Sequence, residues 1–250
     1  MKIGPLTALG LMLTALFPSF PALAADSRTP VPAATLEAVD RLYLYRHQPG
    51  GLDASVTSLE ALLSQRPDDP AVLWRLGRSM VRVGERFEEK REQLAAYTRA
   101  QGLLERAVTL DGSNPEAHYW LGVSVGRQGK LRGIFKSLSL VKVMRREMET
   151  VLKLAPNHGG AHHVLGEMYR QMPGFVGGSK KKSLQELQLA FERAPNYTAS
   201  YAVLAEAYQE AGEKEKAKAV LNRIFEVKEP EDPAEFEDNL KEAKELLKGL

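Results

Sequence analysis

The chain has no cysteine, which removes disulfides, thiolate metal sites, cysteine catalysis and lipid attachment through an N-terminal cysteine. It must therefore hold together by packing alone. It also lacks a charge imbalance: 34 Lys and Arg against 32 Asp and Glu leave a formal +2, too little to argue for nucleic acid or an anionic surface as the general partner. Beyond the first 25 residues no segment is apolar for the ~20 residues that a membrane span needs. No stretch alternates polar and apolar residues over the length of a strand, and no nucleotide fingerprint, paired acidic motif or Ser, His and Asp set stands out. A minority reading as an enzyme rests only on catalytic groups scattered through the fold.

What is present is a normal share of apolar and charged residues, 44% and 26% of 250, as a folded globular chain requires. Residues 1–24 have the plan of a secretory signal. Lys2 supplies the charge, Ile3 to Phe17 the apolar centre and Ala22-Leu23-Ala24 the cleavage pattern, so the mature chain is expected to begin at Ala25 in a periplasmic or secreted setting. Residues 25–34, rich in proline and small polar groups, are expected to be a flexible leader, and residues 35–250 a single repeat domain.

The repeat is visible around Asn114 to Gly122, N-P-E-A-H-Y-W-L-G. Sliding the chain on itself aligns Leu76-Gly77, Leu121-Gly122, Leu165-Gly166 and Leu204-Ala205, each preceded by a Pro- or Asn-rich turn and, before that, by an apolar helix end. This order, met four times, predicts stacked helical hairpins. A first helix through Leu36, Val39 and Tyr43 ends before Pro49, and a second is capped by Asp53 or Ser55. A third follows Pro70, and its partner runs from about Arg86 to Leu110 with Phe87 on its apolar face. In the third hairpin Ile134, Leu138, Val141, Met148 and Leu152 mark the return helix, and Gly126, Gly129 and Gly133 are expected to loosen the corner. Residues 172–179 join the fourth pair, with Ser179 capping its second helix. Gly212 turns the fifth, and a charged helix from Ala234 to Lys248 covers the end of the stack.

Residues 198–230 resemble a tetratricopeptide repeat: Tyr201, Leu204, Ala205, Tyr208, Gly212, Ala217, Leu221 and Pro230 fall near its anchor positions. The upstream spacings of 45, 44 and 39 residues exceed the usual 34 of that repeat. With A-H-Y-W-L-G, A-H-H-V-L-G-E-M-Y and M-P-G-F-V-G-G-S, the chain resembles the T-component proteins of TRAP-type transporters. More distantly it resembles the regulator of microtubule dynamics family. The T-component proteins are typically lipid-anchored, and this chain has no cysteine to carry a lipid. The resemblance implies an all-α fold: a right-handed α-solenoid of about five tetratricopeptide-like hairpins, some extended, with a C-terminal capping helix. It also implies a non-catalytic periplasmic protein that binds a partner protein, such as a solute-binding receptor, or a small apolar ligand, as an accessory of TRAP-type uptake. The alternative is a structural scaffold of the envelope or of cytoskeletal type.

By repeat alignment the first helices turn Trp74, Arg78 and Arg82, then Tyr119, Val123 and Arg127, then His163, Glu167 and Arg170 toward the concave side, where aromatic and arginine groups suit a partner. No cofactor and no metal are expected. His158 and His162 stand four apart, but His158 falls in a turn and His162 takes the place of a packing aromatic. Gly-Gly-Ser-Lys at 177–180 lacks the spacing of a phosphate loop and follows a helix rather than a strand. From Ala117 to Arg146 there are seven cations and no acid, whereas Glu226 to Leu250 holds nine acids against four lysines. That contrast predicts either head-to-tail self-association into a homo-oligomer or an internal brace.

Overall fold

The computed structural model describes residues 30–133 and 137–250. The expected signal segment (residues 1–24), residues 25–29 of the expected leader, Ile134 and Lys136 lie outside them. Every regular element among the described residues is helical. The α-helices are α1 (Ala33–Leu44), α2 (Gly51–Gln65), α3 (Pro70–Arg86), α4 (Lys90–Leu110), α5 (Pro115–Arg132), α6 (Leu138–Leu154), α7 (Gly159–Gln171), α8 (Lys180–Arg193), α9 (Ala199–Glu210), α10 (Lys214–Arg223) and α11 (Pro233–Lys248). Consecutive pairs form five hairpins and α11 covers α9 and α10, the solenoid that the repeat pattern predicts.

The helix starts follow from local chemistry. Asp69, Asn114 and Asp232 each precede a proline at the first helical position; Asp69 and Asn114 each accept from two freed backbone N–H groups and Asp232 from that of Ala234. Ser179 caps α8 by accepting from the Lys182 N–H, as expected. α2 departs from expectation. Its cap is Gly50, in the left-handed region at φ 79°, because the chain reverses sharply after α1. Asp53 falls in the first turn, and Ser55 is buried with its hydroxyl 3.3 Å from that of Ser79. α3 takes up Arg86, so the chain turns at 87–89 and α4 starts later than the apolar pattern suggests. Phe87 lies at that turn, 37% exposed. α5 runs straight through Gly126 and Gly129, and only Gly133 adopts a positive φ. The last residues of the expected leader are also packed. Val31 is buried, its N–H donates to Asp69, and α1 begins at Ala33.

The recurring glycine marks where the two helices of a hairpin cross. A Cβ on Gly77 would stand 2.5 Å from Leu104 Cγ, one on Gly166 2.6 Å from Leu187 Cγ, and one on Gly122 closer still to Met148 Cε. All three partners are fully buried. Four residues earlier in each repeat, a second position ties the helix to its own turn. His118 Nε2 lies 3.1 Å from the Gly112 carbonyl, His162 Nε2 3.1 Å from that of Pro156, and the Tyr201 hydroxyl donates to that of Pro195 at 2.8 Å. The two histidines reach the returning helix as well, each Nδ1 2.7 Å from a carboxylate, Glu147 or Glu186. In the α3 repeat the equivalent residue is Leu73, which packs without such a bond.

The acidic C-terminal region does brace the chain, but among the described residues no ion pair joins it to the basic run at 127–146. Asp232 and Glu235, at the start of α11, reach the opening hairpins: Arg46 donates to Asp232 at 2.6 Å, and Arg82 pairs with Asp232 at 3.4 Å and Glu235 at 2.5 Å. The superhelical turn brings the start of α11 opposite α1 and α3. In the basic run Arg127 pairs with Glu85 and Arg146 with its neighbour Glu147.

Candidate functional site: a cavity on the concave side

α5 and α7 touch little, unlike α3 and α5, and the space between them is a cavity of about 590 Å³. Its wall on the α5 side is low because Gly126, Gly129 and Gly133 carry no side chain there. Within α5, Gly126 and Gly129 together cost roughly 2 kcal/mol against alanine. Capping by Asn114, the packing of Trp120, Leu121 and Val125, and the Ser137 hydroxyl donating to the Gly129 carbonyl offset that cost. From α6 come Leu140, Val141 and Met144, from α7 Val164 and Met168, and from the residue that follows it Met172, so the interior is apolar and adaptable in shape.

The rim is polar and strongly organised. Arg82, Tyr119, Val123, Arg127, His163 and Glu167, six of the nine residues expected on the concave side, line this one cavity. The other three do not. Trp74 is buried beneath Arg75 and Arg78, with guanidinium carbons 4.4 and 4.9 Å from its ring. Arg78 donates to Asp40 at 2.6 Å and lines a smaller neighbouring cavity of about 220 Å³. Arg170 pairs with Glu206 and Glu210. Its displacement has a simple cause: the repeat register places Gln171, not Arg170, level with Arg82 and Arg127, and one residue is about 100° of helix rotation. Gln171 lines the cavity.

Tyr119 and Tyr197 form the partition between the two cavities, their hydroxyls 3.4 Å apart. Burial pushes both phenols far above the ordinary tyrosine value, so they stay protonated and act as hydrogen-bond donors. Burial lowers His163, whose ring meets Tyr197 edge-on at 5.6 Å. Glu167 opposes that shift and Arg127 adds to it. His163 Nδ1 is buried without a hydrogen-bond partner. Burial alone would raise Glu85, but Arg82 and Arg127 outweigh it and hold the carboxylate charged. His158 accepts from the Ala161 N–H through Nδ1 and meets Glu116 through Nε2 at 3.3 Å, whereas His162 faces Glu186 and Pro156, so the two rings serve different partners. Among the described residues no group of three or more potential metal ligands gathers, and no helix is long and apolar enough to cross a membrane.

Sequence reasoning missed the methionines and Tyr197. Met144, Met168 and Met172 were not singled out as site residues because methionine at helical spacing reads as ordinary core. Tyr197 sits in a turn whose position relative to α5 is set by stacking alone. The family model for Regulator of microtubule dynamics protein 1-3 matches residues 35–173, more than half of the chain and most of the cavity wall.

The chain belongs to that family. No curated protein sequence matches this regulator-family chain. Among solved structures, TTC0263, a thermophilic TPR protein of Thermus thermophilus, is 19% identical, covers 86% of this chain and 98% of its own, and has a TM-score of 0.63. MamA from Desulfovibrio magneticus RS-1 is 16% identical over 77% of this chain and 94% of its own, at a TM-score of 0.48. YrrB, described as a TPR protein with an unusual peptide-binding site, is 14% identical over 86% and 91%, at 0.47. The first likeness supports the repeat fold; the other two are too distant to add to it.

Proposed function

We propose that this protein is a non-catalytic repeat module whose concave cavity holds an amphipathic segment of a partner protein, or a small apolar ligand with an acidic end. The observation that carries this reading is the cavity itself, apolar along α6 and α7, with the cations Lys130, exposed, and Arg127, partly so, at a lip that also carries Glu167. Methionine-lined grooves bind by repacking, and a cationic rim orients an acidic group. The phenols of Tyr119 and Tyr197 supply donors at one end, and the unpaired nitrogen of His163 offers a further polar contact.

The reading includes export of the chain through residues 1–24 and a place in the periplasm, motivated by the charge, apolar run and small-x-small pattern there. N-terminal sequencing of the purified mature protein checks it, and a chain retaining Met1 would reject it. Accessory service to a TRAP-type uptake system belongs to the same proposal and rests on the resemblance around residues 172–179. Failure of a solute-binding receptor to co-purify from envelope extracts would remove that part.

For the cavity, an anionic apolar dye such as anilinonaphthalene sulfonate is a direct probe, and Trp120 in the wall reports its arrival. Val123→Trp combined with Arg127→Gln should weaken dye binding by at least about tenfold, roughly 1.4 kcal/mol, with the melting temperature little changed. Dye affinity equal to the parent's would overturn the site.

A further inference from the structure

The corner between α7 and α8 has a construction that the cavity does not explain. Residues Gly174–Val176 form a single 3-10 turn in which Val176 packs inward on the methionine cluster, while its neighbour Phe175 points out, 81% exposed. The turn is held, not loose. The Val176 and Gly178 N–H groups donate to the Pro173 carbonyl and the Ser179 N–H donates to that of Tyr169. A Cβ on Gly178 would overlap the Met172 carbonyl oxygen. The fold thus presents a phenylalanine to solvent from a fixed backbone and forgoes the stabilisation its burial would bring.

Cations surround it. Lys180, Lys181 and Lys182, all exposed, occupy the first turn of α8, where the helix dipole disfavours positive charge, and no acid accompanies them. The first turns of α4, α5, α10 and α11 do carry an acid. Arg145 of α6 lies against Gly177 and shares the ring of Tyr169 with Lys182, at 5.6 and 5.4 Å. Lys142 is exposed one helical turn before Arg145. Among the described residues these five cations make no ion pair. Two acid-free runs, 117–146 and 168–185, supply them, so the fold gathers here charge that the composition balances elsewhere.

We infer that this corner is a docking surface for an anionic lipid bilayer, with Phe175 entering the headgroup boundary and the lysines and Arg145 facing acidic headgroups. Charge complementarity and residue type select the occupant. Protein interfaces are depleted in lysine and favour arginine, whereas an aromatic wedge ringed by flexible lysines suits a membrane surface. The inference concerns a different surface from the cavity and stands or falls independently of what the cavity holds.

The test uses the full mature chain with vesicles of phosphatidylcholine, alone or mixed in equal parts with phosphatidylglycerol. The parent should bind only the mixed vesicles, and added salt should release it. Neutralising all three lysines, Lys180→Gln, Lys181→Gln and Lys182→Gln, should lower the partition coefficient on the order of a hundredfold at an unchanged melting temperature. In Phe175→Trp the new indole should shift to the blue and be quenched by brominated acyl chains, against the native Trp74 and Trp120, which are buried. Equal partition by the triple variant, an indole that remains in water, or no binding of the parent to mixed vesicles would overturn the inference. Tight binding to soluble polyglutamate with none to vesicles would assign the corner to an acidic protein instead.

Discussion

The two halves of the concave surface use the same residue types for opposite purposes. On the side of α1 and α3, Arg46, Arg75, Arg78 and Arg82 each meet a carboxylate, although Arg78 Nε is buried without a partner. Arg75 and Arg78 converge on Asp40, and Arg46 and Arg82 converge on Asp232 and Glu235, with Tyr43, Trp74 and Trp120 stacked against the guanidinium groups. On the side of α5 and α7 the same register carries Tyr119, Arg127 and His163, but His163 Nδ1 has no partner and a cavity opens between the helices. An aromatic and arginine pattern therefore does not distinguish a brace from a binding wall. What fills the space between the first helices does: Asp40 and Asp232 on one side, an open cavity on the other.

The sharpest way to break the contrast is to open the closed half. Asp232→Asn with Glu235→Gln leaves Arg46, whose side chain is 8% exposed, without an anion. Losing one partner of a fully buried pair costs ~3–5 kcal/mol. The two acids are 23% and 35% exposed, so water softens the loss to about 2 kcal/mol. Urea unfolding should show that loss, together with faster amide exchange at the start of α11. Unchanged values would mean that the brace contributes nothing.

A gentler comparison adds one methyl group to each half. In Gly77→Ala the new Cβ meets the body of a fully buried Leu104, so overpacking should cost roughly 1–2 kcal/mol net of the gain in helix propensity. In Gly126→Ala it meets the Met144 sulfur at 2.7 Å, a flexible group with the cavity beside it. Stability should hold or rise by up to about 1 kcal/mol, while dye binding weakens as the thioether moves into the space. Equal melting temperatures for the two variants would erase the distinction between a closed crossing and an open one.

The smallest effect concerns pH. Burial and Arg127 lower His163 from its ordinary 6.5, only partly opposed by Glu167. Its contribution to stability is complete above the unfolded value and is lost as pH falls through the lower folded one. Glu85 and Glu116 are also held low, but their loss begins only below the ordinary carboxylate value of 4.5. Glu231 and Glu242, raised by burial, act in the opposite sense. Between about pH 7.5 and about pH 5.5 the parent should therefore lose on the order of 1 kcal/mol that His163→Phe does not lose. Parallel pH profiles for the two would remove His163 as the cause.

Much of this was legible beforehand. Asp69-Pro70 and Asn114-Pro115 announce helix starts, and the Gly77, Gly122 and Gly166 register locates each crossing because only a residue without a side chain admits the partner helix there. Gly126 and Gly129 were harder to read. The same residue that breaks a short helix is tolerated in one held by tertiary packing, and here it makes room rather than a bend. Arg170 was misplaced by one residue, which on a helix is enough to change its face.

The sequence by itself determined the helices, their pairing and the repeat register, since these depend on neighbours a few residues apart through capping, apolar spacing and side-chain size. Only the tertiary structure decided which arginines are occupied, that Tyr197 stands beside Tyr119, and that α11 reaches back to Arg46. Those contacts depend on the accumulated rotation from hairpin to hairpin, a small angle at each step that no local pattern encodes, summed until opposite ends of the chain meet.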